Sequence, residues 1–225
     1  MGKKMTVFDT ELRAVKEKML KLGLLVETAV NNSVRSLVER DSDLADRIIK
    51  NDHLINALEV EIDEECVRLI ALRQPKAGDL RFIITTMKII TDLERIGDLA
   101  VNIAERAREL NQEPQLKPYI DIPRMAEISQ EMVRESLDMF VEGCRELPEN
   151  ILEKEQKVDD LTNQVFNELL IHMIQDSQTI TRATRISYVS KYLERIADHA
   201  TNIAEMVIYM CKGKIIRHTT IDENE

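Results

Sequence analysis

The chain has few of the residues that make turns, crosslinks or aromatic strands. Its 225 residues include no Trp, 6 Gly, 5 Pro and 3 Cys, and aromatic residues make up 4%. A sheet protein needs frequent turns and strands rich in β-branched and aromatic residues, so this composition argues against one. The content of 44% hydrophobic and 32% charged residues instead favours long amphipathic helices around a sizeable core.

Other absences exclude whole classes of protein. No apolar run reaches the length of about 18 residues that a membrane-spanning helix needs, and the first residues lack a signal-peptide pattern. The net charge of −10 argues against nucleic acid as a partner, because neutralising its phosphates requires a basic face. Cys66, Cys144 and Cys211 each lie in an apolar helical pattern. We interpret them as core residues of a reduced, cytoplasmic protein and not as a disulfide framework.

The most informative feature is an internal repeat. Residues 93–105 return as residues 193–205, with ten of the 13 positions identical. A weaker repeat at an offset of 103 aligns residues 33–58 with residues 136–161. We therefore predict an all-α fold made of two pseudo-symmetric three-helix bundles, which are residues 1–112 and residues 119–225.

Sparse turn signals divide the chain into six long helical segments. We predict helices over about 6–39, 42–73, 79–110, 122–145, 148–176 and 179–212. The cluster of Asp41, Ser42 and Asp43 is the predicted N-cap signal of the second segment, and Gly213 is the predicted C-cap of the sixth. Residues 111–118 contain two prolines and no periodicity, which predicts a linker.

What repeats is largely acidic and amide side chains, which a hydrophobic core does not require. On a helical wheel these side chains form a narrow oxygen-rich stripe beside a wide apolar face. The stripe consists of Glu94, Asp98, Asn102 and Glu105 in the first copy and of Glu194, Asp198, Asn202 and Glu205 in the second. The repeat therefore predicts an acidic site in each half.

A second pair of oxygen-bearing side chains lies on each neighbouring helix. Residues were counted from each hairpin turn at about 1.5 Å per residue. The count places Asp52 and Asn56 near the level of Glu94 and Asp98. Counted in the same way, the remaining pair, Glu155 and Asp159, lies near the level of Glu194 and Asp198. We predict one quartet per half, with Asn102, Glu105, Asn202 and Glu205 as outer residues.

Four such side chains would repel one another unless positive charge lies between them. Bound cations are one remedy, and all-oxygen ligation suits magnesium, manganese, calcium or iron. We therefore predict a bound metal cation, for which the sequence does not distinguish iron, zinc, manganese and magnesium. The alternative is a solvated acidic stripe assisted by Arg95 and Arg195.

Other candidates for a metal ligand are weaker. Glu59 and Asp63 have a similar spacing, but their equivalents in the second half are not acidic, so we interpret them as solvated surface. His53 and His199 each follow a quartet acid, about 100° around the helix, which favours an outer or surface role. The Glu-x-x-His spacing of ferritin-like di-iron sites is absent.

Several motifs together resemble the PhoU family of bacterial phosphate-signalling regulators, over nearly the whole chain. They are residues 52–59 (DHLINALE), 73–75 (RQP), 79–81 (DLR), 92–98 (DLERIGD) and 192–205 (YLERIADHATNIAE). The resemblance implies a cytoplasmic, often homodimeric protein that restrains the phosphate-starvation response and phosphate uptake. It also implies a link between the ATPase and membrane subunits of the phosphate ABC transporter and a sensor histidine kinase at the inner membrane.

In some members of that family, acidic motifs of this kind hold multinuclear metal clusters. The resemblance carries this role to Glu94 with Asp98, Glu155 with Asp159, and Glu194 with Asp198. The pair Asp52 and Asn56 departs from the pattern, because an amide replaces the second carboxylate. The first half therefore has one negative charge fewer with which to hold a cluster.

Three functions remain open from the sequence. The leading expectation is a non-enzymatic regulator that is recruited to the membrane through protein contacts, since its negative charge opposes anionic lipid. A carboxylate-bridged metal enzyme is the alternative. The third possibility is a helical adaptor without metal, whose acidic pairs make its partner surfaces selective.

Overall fold

The structure is a computed structural model that describes residues 6–143 and 149–213. Its helices are α1 (Val7–Val38), α2 (Ser42–Asn51), α3 (His53–Arg73), α4 (Ala77–Leu110), α5 (Asp121–Glu142), α6 (Glu149–Gln175) and α7 (Ile180–Lys212), with a 3₁₀ turn at Ser177–Thr179. These ranges contain no strand. The all-α prediction is confirmed.

Local signals in the sequence end the helices where we expected. The side chain of Asp41 accepts a hydrogen bond of 2.8 Å from the backbone N–H of Leu44 and so caps α2. Gly213 adopts a φ of 66° at the end of α7, a left-handed conformation that glycine reaches without strain. Pro148 and the predicted end of the fourth segment at Arg145 lie outside the described residues.

The second predicted helix is interrupted at one residue, which corrects the prediction of a continuous segment. Asp52 separates α2 from α3 but keeps helical angles, with φ −53° and ψ −37°. Its carbonyl accepts hydrogen bonds from the N–H groups of Ile55 (2.9 Å) and Asn56 (3.2 Å), so the chain tightens locally. Asn and Asp side chains compete with helical hydrogen bonding, and Asn51 and Asp52 both stand at this interruption.

The core lies between α1, α4, α5 and α7. Helices α4 and α7 run antiparallel, since Arg81 Nε donates to the carbonyl of Met210 at 3.2 Å while Asp92 contacts His199. One continuous cluster of buried apolar side chains includes residues from both halves. The division into residues 1–112 and 119–225 therefore stays a prediction.

The linker between the halves is fixed by side chains from both of them. Arg40, which has a φ of 58°, donates to the carbonyls of Asn111 at 2.7 Å and Glu113 at 2.6 Å. From α7, Arg185 forms an ion pair with Glu113. The linker thus connects two halves that share a core.

One of the three cysteines contradicts the sequence interpretation. Cys66 is buried and free, as expected for a core residue. Cys211 is disulfide-bonded, so the expectation that no cysteine forms a disulfide is wrong for this residue. It lies half-buried in the last turn of α7, where a thiol is not enclosed by the core. Cys144 lies outside the described residues.

The helices in the described part of the chain are too polar or too short to cross a membrane. None of them contains a stretch that is both apolar and long enough to span a bilayer.

The crossing of α4 and α7 gives the first testable prediction. Ile96 is fully buried there, so Ile96→Ala should lower the free energy of unfolding by about 2–5 kcal/mol through lost apolar contacts and a cavity. The matched control is Val67→Ala on α3, where the side chain is 51% exposed and the expected change is below about 0.5 kcal/mol. Urea denaturation measures both, and equal losses would contradict the assigned core.

Candidate metal sites

The acids of the first predicted quartet lie within electrostatic reach of one another between α3 and α4. Burial raises the pKa of Asp98, and the nearby charge of Asp52 raises it further. Burial also raises the pKa of Glu94, followed by the charges of Asp98, Glu59 and Asp52. The two helices therefore bring their carboxylates close enough to repel one another, as the count of levels predicted.

Two oxygens of this first site are buried without a hydrogen-bond partner. Asn56 Nδ2 donates to Asp52 Oδ2 at 2.8 Å, which orients both side chains. Asp52 Oδ1 and Asn56 Oδ1 then accept no hydrogen bond. Unsatisfied buried oxygens are unfavourable in a folded protein, and a cation would compensate them.

The second quartet has the same antiparallel register between α6 and α7. The pKa of Glu155 is raised by burial and then by the charge of Asp198. The pKa of Asp159 is raised by burial and then by the charge of Glu194. For Asp198, burial raises the pKa first, followed by Glu194 and Asp159. In both halves, an acid at the start of α3 or on α6 therefore lies near an acid on α4 or α7.

The halves differ in how they are neutralised. In the second half, Lys191 forms an ion pair with Glu194. The equivalent position in the first half is Thr91, which carries no charge. Arg95 and Arg195 form no ion pair in the described parts of the chain, but the charge of Arg95 lowers the pKa of Glu94, so this arginine assists the stripe without contacting it.

The four outer residues have separate surroundings. Glu105 Oε2 lies 3.7 Å from Arg106 Nη2, which directs it towards its own helix neighbour. The charge of Glu205 raises the pKa of Glu155, so Glu205 lies near the second quartet. Asn102 and Asn202 are half-buried on α4 and α7.

The ligand atoms of the quartets are of the type that hard cations prefer. The side chains are not arranged as a complete metal site. Each quartet offers only carboxylate and amide oxygens, which magnesium, manganese, calcium and iron accept. Across residues 6–143 and 149–213, however, no three His, Cys, Asp or Glu side chains converge as metal ligands. Side-chain rotation would therefore be needed for one ion to contact a whole quartet.

The structure adds Glu59 to the first site, where the sequence interpretation placed it on solvated surface. Glu59 is half-buried, its charge raises the pKa of Glu94, and its own pKa is raised by burial and then by Asp63. The signal was present, because Glu59 follows Asn56 by three residues and so shares its helix face. The repeat alignment led to the wrong interpretation of Glu59, because the equivalent position in the second half is not acidic.

His199 also lies elsewhere than expected. Its side chain is buried, and Nδ1 lies 2.7 Å from Oδ1 of Asp92, which is itself buried. The expected surface or outer-ligand role is therefore corrected: this histidine joins α7 to α4 within the core.

The raised pKa values of Asp98 and Asp198 predict how stability depends on pH. A carboxyl whose pKa is higher in the folded state binds protons more tightly there. Its favourable effect on folding is complete below its ordinary pKa of about 4 and is lost as pH rises through the folded value. In metal-free protein at pH 7, Asp98→Asn or Asp198→Asn should raise the free energy of unfolding by up to about 1 kcal/mol, a gain limited by solvent screening.

Urea denaturation at pH 7 and about pH 4 with a chelator measures this difference, which should disappear at the lower pH. Glu64→Gln, at an exposed position of α3, is the control and should change stability little at either pH. A loss of stability at pH 7 in both aspartate variants would contradict the prediction.

Comparison with known proteins identifies the family. The PhoU domain model matches residues 19–107 and 122–207. The chain is 45% identical to the phosphate-specific transport system accessory protein PhoU homolog of Aquifex aeolicus, over 95% of this chain and 96% of that protein. It is 33% identical to the Escherichia coli K12 accessory protein PhoU, over 96% of this chain and 90% of that protein.

Solved structures agree with this. The crystal structure of PhoU from Pseudomonas aeruginosa matches with a TM-score of 0.87 and 41% identity, covering 92% of this chain and 100% of that one. The phosphate transport system regulatory protein PhoU from Streptococcus pneumoniae matches with a TM-score of 0.82 and 30% identity, covering 93% and 99%. The sequence motifs, the helical fold and these matches lead to one conclusion: the chain belongs to the PhoU family.

Proposed function

We propose that this protein is an accessory regulator of a phosphate transport system and acts through protein contacts, not as an enzyme. The observation that carries the proposal is identity of 33–45% over at least 92% of the chain to proteins named as phosphate-specific transport system accessory proteins. Those names describe an accessory role, and a similar solved structure is titled a regulatory protein.

The finer role is negative regulation of phosphate uptake and of the starvation response. The chain would connect the ATPase and membrane subunits of the phosphate ABC transporter to a sensor histidine kinase. It would do so from the cytoplasm, held at the inner membrane by these partners, and as a homodimer. The formal charge of −10 supports recruitment through proteins, since anionic lipid would repel the chain.

An exposed apolar stripe on the C-terminal half of α6 supports a protein contact. Its members recur at spacings that place them on neighbouring parts of one helix surface. They are Phe166 (48% exposed), Leu170 (41%), Ile171 (56%) and Ile174 (76%). Exposed apolar groups gathered in this way are typical of surfaces that bind another protein.

Capture from detergent-solubilised membranes tests the proposed partners. The tagged chain should retain the transporter ATPase, its membrane subunits and the histidine kinase, each identified by mass spectrometry. Phe166→Lys with Ile174→Lys should reduce retention about tenfold or more, because it charges the apolar stripe. Leu24→Lys on α1 is the matched control, since Leu24 is 65% exposed but lies on another helix.

Sedimentation of the same variants reports self-association separately from partner capture. A wild-type chain that retains neither transporter subunits nor kinase would contradict the regulatory proposal. Equal loss of capture with Leu24→Lys would instead contradict the role given to the α6 stripe.

The acidic quartets are also proposed to bind divalent or trivalent metal cations. The repulsion among their carboxylates and the two unpartnered oxygens of Asp52 and Asn56 support this. When bound, the cation would supply positive charge that neutralises the quartet. The residues of the chain would contribute the oxygens and hold α3 against α4 and α6 against α7.

Metal binding predicts a thermal effect that depends on both sites. Manganese or iron should raise the melting temperature of chelator-treated protein, because a ligand that binds only the folded state stabilises it. Glu94→Gln with Asp98→Asn should remove part of the rise, and adding Glu194→Gln with Asp198→Asn should remove the rest. Elemental analysis should show the same sequence of losses.

Glu64→Gln is again the control and should keep the full effect. Unchanged metal content in the variant altered at all four acids would contradict the sites. Turnover of a phosphate ester that needs metal and disappears in this variant would favour the metal enzyme over the regulator.

A further inference from the structure

A cavity lies on the face where α4 crosses α7, and its wall includes Glu205, an outer residue of the second quartet. Its volume is about 710 Å³, within the range of pockets that hold small organic molecules. Residues of α4 and α7 form most of its wall, and α3 contributes Asp63. Its wall includes Met87, Lys88 and Arg95 from α4 and Met206 and Tyr209 from α7.

Two cations border this cavity without a hydrogen-bonded or ion-paired acid, although the charge of Arg95 acts on Glu94 and lowers its pKa. Within the described residues, Lys88 and Arg95 form no hydrogen bond and no ion pair, although the protein has ten more acidic than basic charges. They are seven residues apart on one helix face, about 10 Å along the axis. Both side chains therefore lack a contacting acid and are available to bind an anionic ligand.

An apolar and aromatic wall adjoins the cations. Lys88 Nζ lies 5.9 Å from the centre of the Tyr209 ring, so the phenol ring is at the cationic end of the cavity. Met206 is buried and Met87 half-buried beside it. Thioether and phenol groups make favourable contacts with the face or edge of an aromatic ring.

The cavity wall also contains hydrogen-bond acceptors, which limit the kinds of ligand that can bind. Asp63 and Glu205 border it as carboxylates, and Asp92 is engaged by His199. A bare polyphosphate would meet these charges unfavourably. A ligand that also carries hydroxyl or amine donors would place donors on the carboxylates and its anion between Lys88 and Arg95.

The duplication shows that this cavity is specific to one face. At an offset of 100 residues, Tyr209 corresponds to Glu109, Met206 to Arg106 and Thr85 to Arg185. On the equivalent face, Arg185 Nε and Arg106 Nη1 lie 2.8 Å and 2.9 Å from Glu109 Oε2. Glu109 pairs with Arg106 on its own helix and with Arg185 across the helices. The cavity face instead has the ring of Tyr209 and the thioether of Met206 at the positions of Glu109 and Arg106, and Thr85 is buried outside the cavity wall.

We propose that the cavity between α4 and α7 binds a nucleoside phosphate. Its phosphate lies between Lys88 and Arg95, and its base lies against Tyr209 and the two methionines. The ribose hydroxyls and base amine face the carboxylates of Asp63 and Glu205. The cavity wall contains none of the eight quartet side chains, although the outer residue Glu205 borders it.

Isothermal titration of the full chain with ATP, adenosine and tripolyphosphate tests the proposal. A chelator is present throughout, so that metal bound to the quartets or to ATP does not contribute. ATP should bind with a Kd of roughly 1 mM or below, and both fragments should bind at least about tenfold more weakly. This difference is expected because the proposed site binds the aromatic base and the phosphate of one ligand together.

Three variants locate the site. Lys88→Gln and Arg95→Gln should each weaken ATP about tenfold, because each removes a charge-assisted hydrogen bond. Tyr209→Leu keeps an apolar side chain but removes the ring, and it should weaken ATP about fivefold. Arg195→Gln is the matched control: Arg195 is exposed at the equivalent position of α7, away from the cavity, and should leave binding unchanged.

Urea denaturation of each variant confirms that folding is retained. No heat of ATP binding in wild-type protein would overturn the proposal. Tripolyphosphate binding as tightly as ATP would overturn the role of the ring. Equal weakening by Arg195→Gln would show that net charge, not this cavity, attracts the ligand, and would also overturn the proposal.

Discussion

The antiparallel packing of α4 against α7 is the constraint on which the rest of the structure depends. These two helices carry the repeated segments, and their apolar faces are buried against each other and against α1 and α5. Burying those faces turns the oxygen-rich stripes outward, towards α3 and α6. The hydrogen-bonded pair of Asp92 and His199 holds the crossing within the core. The same packing therefore positions the acidic sites and the cavity.

The acidic sites lower the stability that the core provides. Burial and mutual repulsion raise the pKa values of Glu94, Asp98, Glu155, Asp159 and Asp198 together. A protein selected for stability alone would have no reason to keep so many unfavourable charges at matched levels. Local features that oppose folding without compensation are typical of functional sites. This reasoning supports a cation or a charged partner at both places.

The two halves have diverged in ways that the duplication does not anticipate. The first half has Asn56 where the second has Asp159, but Glu59 returns a carboxylate to the same helix face. The second half has Lys191 beside Glu194, while the first has the neutral Thr91. The sites therefore share a register but differ in net charge. Such a difference allows the halves to bind different ions or partners.

The sequence predicted the helices and the levels of the quartets because both depend on local geometry. Helix rise per residue is constant, so counting from a turn places Asp98 beside Asp52 without knowledge of the packing. The break at Asp52 was missed because its backbone stays helical. Glu59 was set aside because the repeat alignment, and not the helix face, was used to judge it.

By itself, the sequence determined the all-α fold, the duplication, the helix ends at Asp41 and Gly213, and the acidic register, since all of these follow from short-range spacing. Only the tertiary structure decided which charges are neutralised, that His199 is buried against Asp92, and that a cavity opens on one face of the α4–α7 crossing. The buried pair of His199 and Asp92 joins residues 107 positions apart, and the cavity likewise joins distant parts of α4 and α7, so residue spacing along the chain does not contain that information.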